Sequence, residues 1–342
     1  MNIKKVWFKR LIILWGILII LFFVEVIAFK FFLPRKALTV NAHKGMRSAF
    51  QVVLNKTELG KNYKIKISSS ETADIIVECD KKDDESYSKI AYSPFVVAFC
   101  KDDDLYSSLK KSKLLRTSKY EDDYCDFNLE KLINGVLDNK KMKELGFLSE
   151  ATICVPSEKS KYWSDFYNLM LITVNKGVYP RDKNQIQELK QKIDSFLNSK
   201  KVSKFNDLNE QLIRTNYFSK GAVYIIPEQE ARYYNSDQSK YCKFCYPLYT
   251  VNVNYYVKGI TKNGKEVISK ISANKFFQEL KDNYFRNDEY PQAIIGWTEE
   301  DARDSYNVIN PYDDWLIYLF PQVQCACGIF YTLRKLNNFL RV

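Results

Sequence analysis

Apolar positions follow two patterns: one long uninterrupted run near the start, and short alternating or helical-period groups after it. The run is Leu11 to Phe29, LIILWGILIILFFVEVIAF, with Glu25 as its one charge. As a helix rising about 1.5 Å per residue it reaches roughly 28 Å, close to the thickness of a bilayer's hydrocarbon core. Beyond it, short apolar or alternating groups predict strands over 37–40, 63–67, 73–77, 94–99, 151–155, 222–226 and 248–257. Trp163, Phe166, Tyr167, Met170 and Val174 recur at helical spacing, so 161–174 reads as a helix with one apolar face, and that face reads as core. Comparable spacing predicts helices over 44–54, 127–137, 184–197, 205–214 and 272–284. Strand and helix alternate, so the class is α/β.

Charge changes the meaning of the first segment. Lys4, Lys5, Lys9, Arg10, Lys30, Arg35 and Lys36 flank the run, so residues 1–36 carry +6 of the formal +11. The remaining 306 residues carry +5, ordinary for a folded domain, and no basic stripe or zinc-finger spacing argues for nucleic acid as a partner. A signal peptide competes for 11–29, but no A-x-A-like cleavage site follows, and an uncleaved transmembrane signal anchor is the reading preferred. With four basic residues in the short leading tail, 1–10 is expected in the cytoplasm. The chain is then single-pass in the cell membrane, with its domain on the extracytoplasmic side. A second uncharged stretch, 315–333, is interrupted by Pro321, Gln322 and Gln324 and reads as a buried helix-turn rather than a second span.

Several chemistries are poorly supplied. The single histidine, His43, has no motif around it, and one His cannot furnish both a triad and a metal site. Neither a phosphate loop nor a GxSxG elbow occurs, so an enzyme is not expected and no cofactor is implied.

The order of segments carries more information. The strand before Ala42-His43-Lys44-Gly45, then Ala73 to Val77, Ile90 to Phe99, Cys154 to Ser160, Gly221 to Glu228 and Tyr246 to Tyr249 together resemble bacterial extracellular solute-binding proteins of the type 2 periplasmic-binding fold. The resemblance covers roughly residues 37–286. It implies two α/β lobes, 37–98 with 252–342 and 99–251, that enclose a small-molecule or ion ligand and pass it to an ABC permease. Tyr92-Ser93-Pro94 would begin the first crossing between lobes and Tyr246-Pro247 the return. Lys44, Gly45, Ser93, Ser157, Lys159, Ser160 and Glu228 would face the ligand. Plainer roles stand beside these: Ser157 or Ser160 as a helix cap, Glu228 as an exposed loop carboxylate. The chain departs from the family in having a membrane span where monoderm relatives carry a lipidated Cys, and in its segment 289–342. That departure and a Tyr-rich second half motivate an alternative, an envelope-anchored interaction or sensory module binding a protein partner.

Eight cysteines remain. Cys79 and Cys100 end two predicted strands and form the candidate disulfide. Cys242 and Cys245 have CxxC spacing and, with Cys325 and Cys327, could supply a four-thiolate zinc site, a weak signal.

Overall fold

The computed structural model describes residues 14–25, 35–42, 47–79 except 71, 86–100, 103–117, 125–138, 152–214 except 179 and 181, 221–237, 242–287 except 272–273, and 307–308. Strand β1 (Lys36–Ala42) pairs in parallel with β2 (Tyr63–Ser68) and with β3 (Ile75–Glu78). On the other side of β3 lies β12 (Asn252–Gly259), antiparallel to it, and beyond β12 lies β4 (Ser88–Cys100). In the second half, β7 (Thr152–Pro156) is flanked in parallel by β8 (Val202–Phe205) and β9 (Ala222–Pro227). Next to β9 runs β4 again, and then β10 (Cys242–Pro247), which continues to β6 (Cys125–Phe127) and β5 (Leu115–Thr117).

One strand therefore serves both halves. The thirteen residues of β4 pair with β12 as far as Pro94 and with β9 from Phe95 onward. Pro94 has no N–H to give a ladder, which suits it to the point where partners change. Phe95 N–H donates to Val251 O at 3.1 Å, and Thr250 Oγ1 donates to Phe95 O at 2.9 Å, so the return segment holds this point from the other side. From Phe95 to Phe99 every side chain is buried, as expected of a strand covered on both faces.

Helices cover the sheets. In the first half these are α2 (Arg47–Lys56), α10 (Lys262–Ile271) and α11 (Asn274–Asp282), where Phe50, Tyr255 and Phe285 form an aromatic cluster with centroids 4.9 to 6.3 Å apart. Gly264 of α10 presses on the strand entry: a Cβ there would stand 1.9 Å from Asp74 O. Asp74 joins the layers, accepting from Thr39 N–H and Oγ1 and from Thr261 Oγ1. In the second half, α6 (Trp163–Val174) buries Trp163, Phe166 and Tyr167, with the Phe95 ring tilted against Phe166 at 6.3 Å between centroids. The apolar face predicted for this helix is core.

Of the run 11–29, residues 14–25 are described; they form a helix (α1) whose apolar side chains, among them Trp15, Phe22 and Phe23, are exposed. Among the described residues no helix is long and apolar enough to cross a membrane. The stretch 315–333 lies outside the described residues, as do Lys44, Gly45, Cys325 and Cys327.

Two cysteine expectations are corrected. Cys79 and Cys100 are not joined; each keeps its thiol. β12 lies between β3 and β4, and Cys100 sits at the far end of β4, past its change of partners, so the two belong to different halves. Cys245 is in a disulfide, which removes it from any four-thiolate zinc set.

Several elements were not predicted from the sequence: α4 (Asp103–Lys111), α9 (Glu228–Asp237), β10 and α10. One of them, α9, bears the site described next.

Candidate functional site

The parallel strands β7, β8 and β9 all end on the same side, and their following loops converge there. Loops at strand carboxyl ends are where open α/β sheets hold ligands. From β7 come Ser157, Ser160 and Tyr162; from β8 come Asn206 and Asp207; from β9 come Glu228, Gln229 and Glu230 at the start of α9. Ser93 of β4 reaches the same place, accepting a hydrogen bond from Gln229 N–H at 2.9 Å. Its position beside the partner change makes it a link between the crossing strand and α9.

Glu228 is neither exposed nor open to a ligand. It is completely buried, with Arg286 Nε 2.7 Å from Oε2 and Arg286 Nη2 3.0 Å from Oε1. Arg232 Nε and Tyr246 Oη also donate to Oε1, at 2.8 and 2.6 Å. Burial alone would push this carboxyl up; the charges of Arg286 and Arg232, with hydrogen bonds from Arg286 and Tyr246, hold it down at about 2. Arg286 is anchored in turn by its backbone, which exchanges hydrogen bonds with Tyr92 at 2.7 and 3.0 Å. The network thus ties the first crossing, the return strand and the start of α9 into one unit. Such pairing and hydrogen bonding is what a buried charge requires.

Two positions further on, Glu230 has a different environment. It too is completely buried, and Tyr162 Oη donates to its Oε1 at 2.7 Å, but Oε2 has no hydrogen-bond partner. Burial pushes this carboxyl up to about 8, Tyr162 opposing and the charge of Asp207 adding to the rise. Burial and then Glu230 raise the Tyr162 hydroxyl well above its ordinary range. Tyr162 and Glu230 also lie within electrostatic reach of Tyr255 on β12, and Tyr162 of Cys79 at the end of β3. Groups of the two halves therefore meet here. Gln229, between the two acids, is buried completely with both amide atoms unpartnered.

The serines proposed from sequence are present in this region, but neither caps α6. Its N-cap is Tyr162, without a side-chain hydrogen bond. Ser157 Oγ contacts Asn206 Oδ1 and accepts from Lys159 N–H at 3.1 Å, while Ser160 Oγ accepts from Tyr162 N–H at 3.3 Å. These local bonds shape the loop that presents Tyr162. Lys159 is exposed. Among the described residues no group of three His, Cys, Asp or Glu side chains could hold a metal ion. Tyr162, Gln229, Glu230 and Arg286 were not singled out by sequence, and Tyr246 only as the start of the return crossing; their neighbours Ser160 and Glu228 were named as ligand-facing.

No protein-family model matches the chain, and no curated protein matches it in sequence. Solved structures do. The sulfate-binding protein of Mycobacterium tuberculosis superposes with a TM-score of 0.53 at 12% identity, covering 80% of this chain and 94% of that one. The substrate-binding protein of an Agrobacterium tumefaciens ABC transporter gives 0.48 at 10% identity, covering 80% and 86%. A two-component system signal-transduction protein gives 0.47 at 11%, covering 80% and 94%. The chain has the type 2 periplasmic-binding fold.

Proposed function

We propose that the protein is a solute-binding protein, holding a small ligand between two lobes that meet at the loops after β7, β8 and β9 and working without chemistry on it. The observation that carries this reading is the buried polar group formed by Tyr162, Gln229 and Glu230, which Tyr255 of the other half adjoins and which contains unpartnered atoms. Buried polar atoms without partners are uncommon in folded proteins, and a site that receives a ligand supplies a reason for them. Strand β4 and the return through β10 and β12 act as the hinge. Closure on the ligand follows as a population shift toward the closed state.

The protein is anchored to the membrane by 11–29, and the domain stands on the extracytoplasmic side, where an ABC permease receives the solute. Exposed apolar side chains over 14–25 support an anchor, since such a surface calls for a nonaqueous cover. The disulfide at Cys245 supports an oxidising compartment. The sulfate in the first relative's name is not carried over to this chain.

The test is native mass spectrometry of the full chain in detergent, with a ligand screen by thermal shift. A bound small molecule, or stabilisation by one, is the expected result. If the protein carries no species and no solute moves its melting temperature, while a partner protein is captured, the interaction-module alternative replaces this one.

A further inference from the structure

The region around residues 228–230 contains two acids treated in opposite ways. Arg286 and Arg232 both serve Glu228, Arg232 through Nε with its Nη2 left without a partner, and neither is among the charges acting on Glu230. The groups facing Glu230 are Tyr162 from the start of α6, Asp207 from the loop after β8 and Tyr255 from β12; Asp165 and Cys79 lie against Tyr255 in turn. None of these is a cation. Glu230 Oε2 and both side-chain amide atoms of Gln229 are buried without partners. Protonation of Glu230 alone leaves the Gln229 amide without a cationic partner. A positively charged donor from outside the chain neutralises the carboxylate and gives N–H groups to Oε2 and to the Gln229 carbonyl oxygen, while Gln229 Nε2 still calls for an acceptor.

We propose that Glu230 and Gln229 receive a cationic, hydrogen-bond-donating group of the ligand, an ammonium or guanidinium, so that the solute is a small organic cation rather than an oxyanion. This rests on the solute-binding reading and names its ligand class. An oxyanion at this place meets Glu230 with Asp207 nearby, and the ionised forms of both repel it.

A consequence in pH follows. With the site empty, burial holds the Glu230 carboxyl at about 8, so near neutrality it keeps its proton. A cation binds the ionised form and displaces that proton into solvent. Affinity therefore rises about tenfold per pH unit below pH 8 and levels off above it.

Isothermal titration calorimetry on the full chain in detergent, at pH 6, 7 and 8, tests this with methylguanidinium, tetramethylammonium and 1,4-diaminobutane against sulfate, phosphate and glucose. The expected result is binding of a donor-bearing cation, methylguanidinium or 1,4-diaminobutane, with the slope above and a heat that varies with the buffer's ionisation enthalpy as a proton is released. Glu230→Gln keeps the side chain's shape and its bond from Tyr162; it should weaken the cation by more than about tenfold and flatten the pH slope. Failure of every cationic probe, or equal binding and the same pH slope in Glu230→Gln, overturns the inference. If sulfate, phosphate or glucose binds in that event, the ligand class alone falls and the solute-binding reading stands. If nothing binds and no species co-purifies, both fall.

Discussion

At the scale of single residues, the two buried glutamates respond to acid in opposite directions. Glu228 is held at about 2 against an ordinary 4.5, so its contribution is full above pH 4.5 and is lost as pH falls toward 2. Glu230 is raised from 4.5 to about 8, so it takes up a proton on folding, and its contribution is full below 4.5 and drains away as pH climbs toward 8. Without ligand, Glu230→Gln should therefore melt close to wild type at pH 5 and above it at pH 8, a difference that a thermal melt series reads directly. Arg286→Met leaves Glu228 buried with much of its compensation gone and should cost about 3–5 kcal/mol in denaturant unfolding. A double variant that also replaces Glu228 by Gln should recover part of that loss. Ser93 and Glu228 could be picked out in sequence because each borders a clear apolar run, but the buried pairing of Glu228 could not. Arg286 was not, because it lies 58 residues from Glu228 and nothing local announces the pairing; Tyr162 and Glu230 are 68 apart.

At the scale of elements, legibility followed periodicity. The apolar group at 94–99 marked the core of β4, and the i, i+3, i+4 spacing of Trp163, Phe166 and Tyr167 marked α6. Helix α9 reads EQEARYYNSD, with polar residues where an apolar face is sought, and its buried side chains are held by charge and hydrogen bonds instead. A search for apolar stripes passes over such a helix. The contact between α10 and β3 was equally hidden, since it depends on what is missing at Gly264. Gly264→Val should destabilise the protein by more than about 2 kcal/mol, since a side chain there meets backbone at Asp74 that has no room to retreat. Gly16, which has nothing within 4 Å, should accept Ala without measurable loss.

At the scale of the whole molecule, closure and thiol chemistry are the readouts. If β4 and β12 serve as the proposed hinge, binding of ligand should reduce the radius of gyration in small-angle scattering. Unchanged scattering with saturating ligand would show that binding proceeds without closure. Alkylation of the native protein should modify Cys100, which is partly exposed, before Cys79 and Cys154, which are buried. Strand-to-helix alternation made the α/β class readable, and the order of segments, through its resemblance to solute-binding proteins, made the general plan readable. Which acid in the site lacks a counter-charge was not, because that depends on where two guanidinium groups go in three dimensions.

The distant pairing of Glu228 with Arg286 also orders the birth of the molecule. As the chain emerges from the ribosome, β7, β8, β9 and α9 are all made before Arg286 exists. Until residue 286 is delivered, the start of α9 cannot bury Glu228 with its full complement of donors. The second half of the fold therefore waits on the end of the first, and a nascent chain halted at residue 284 should stay open to protease where one halted well past 287 resists it.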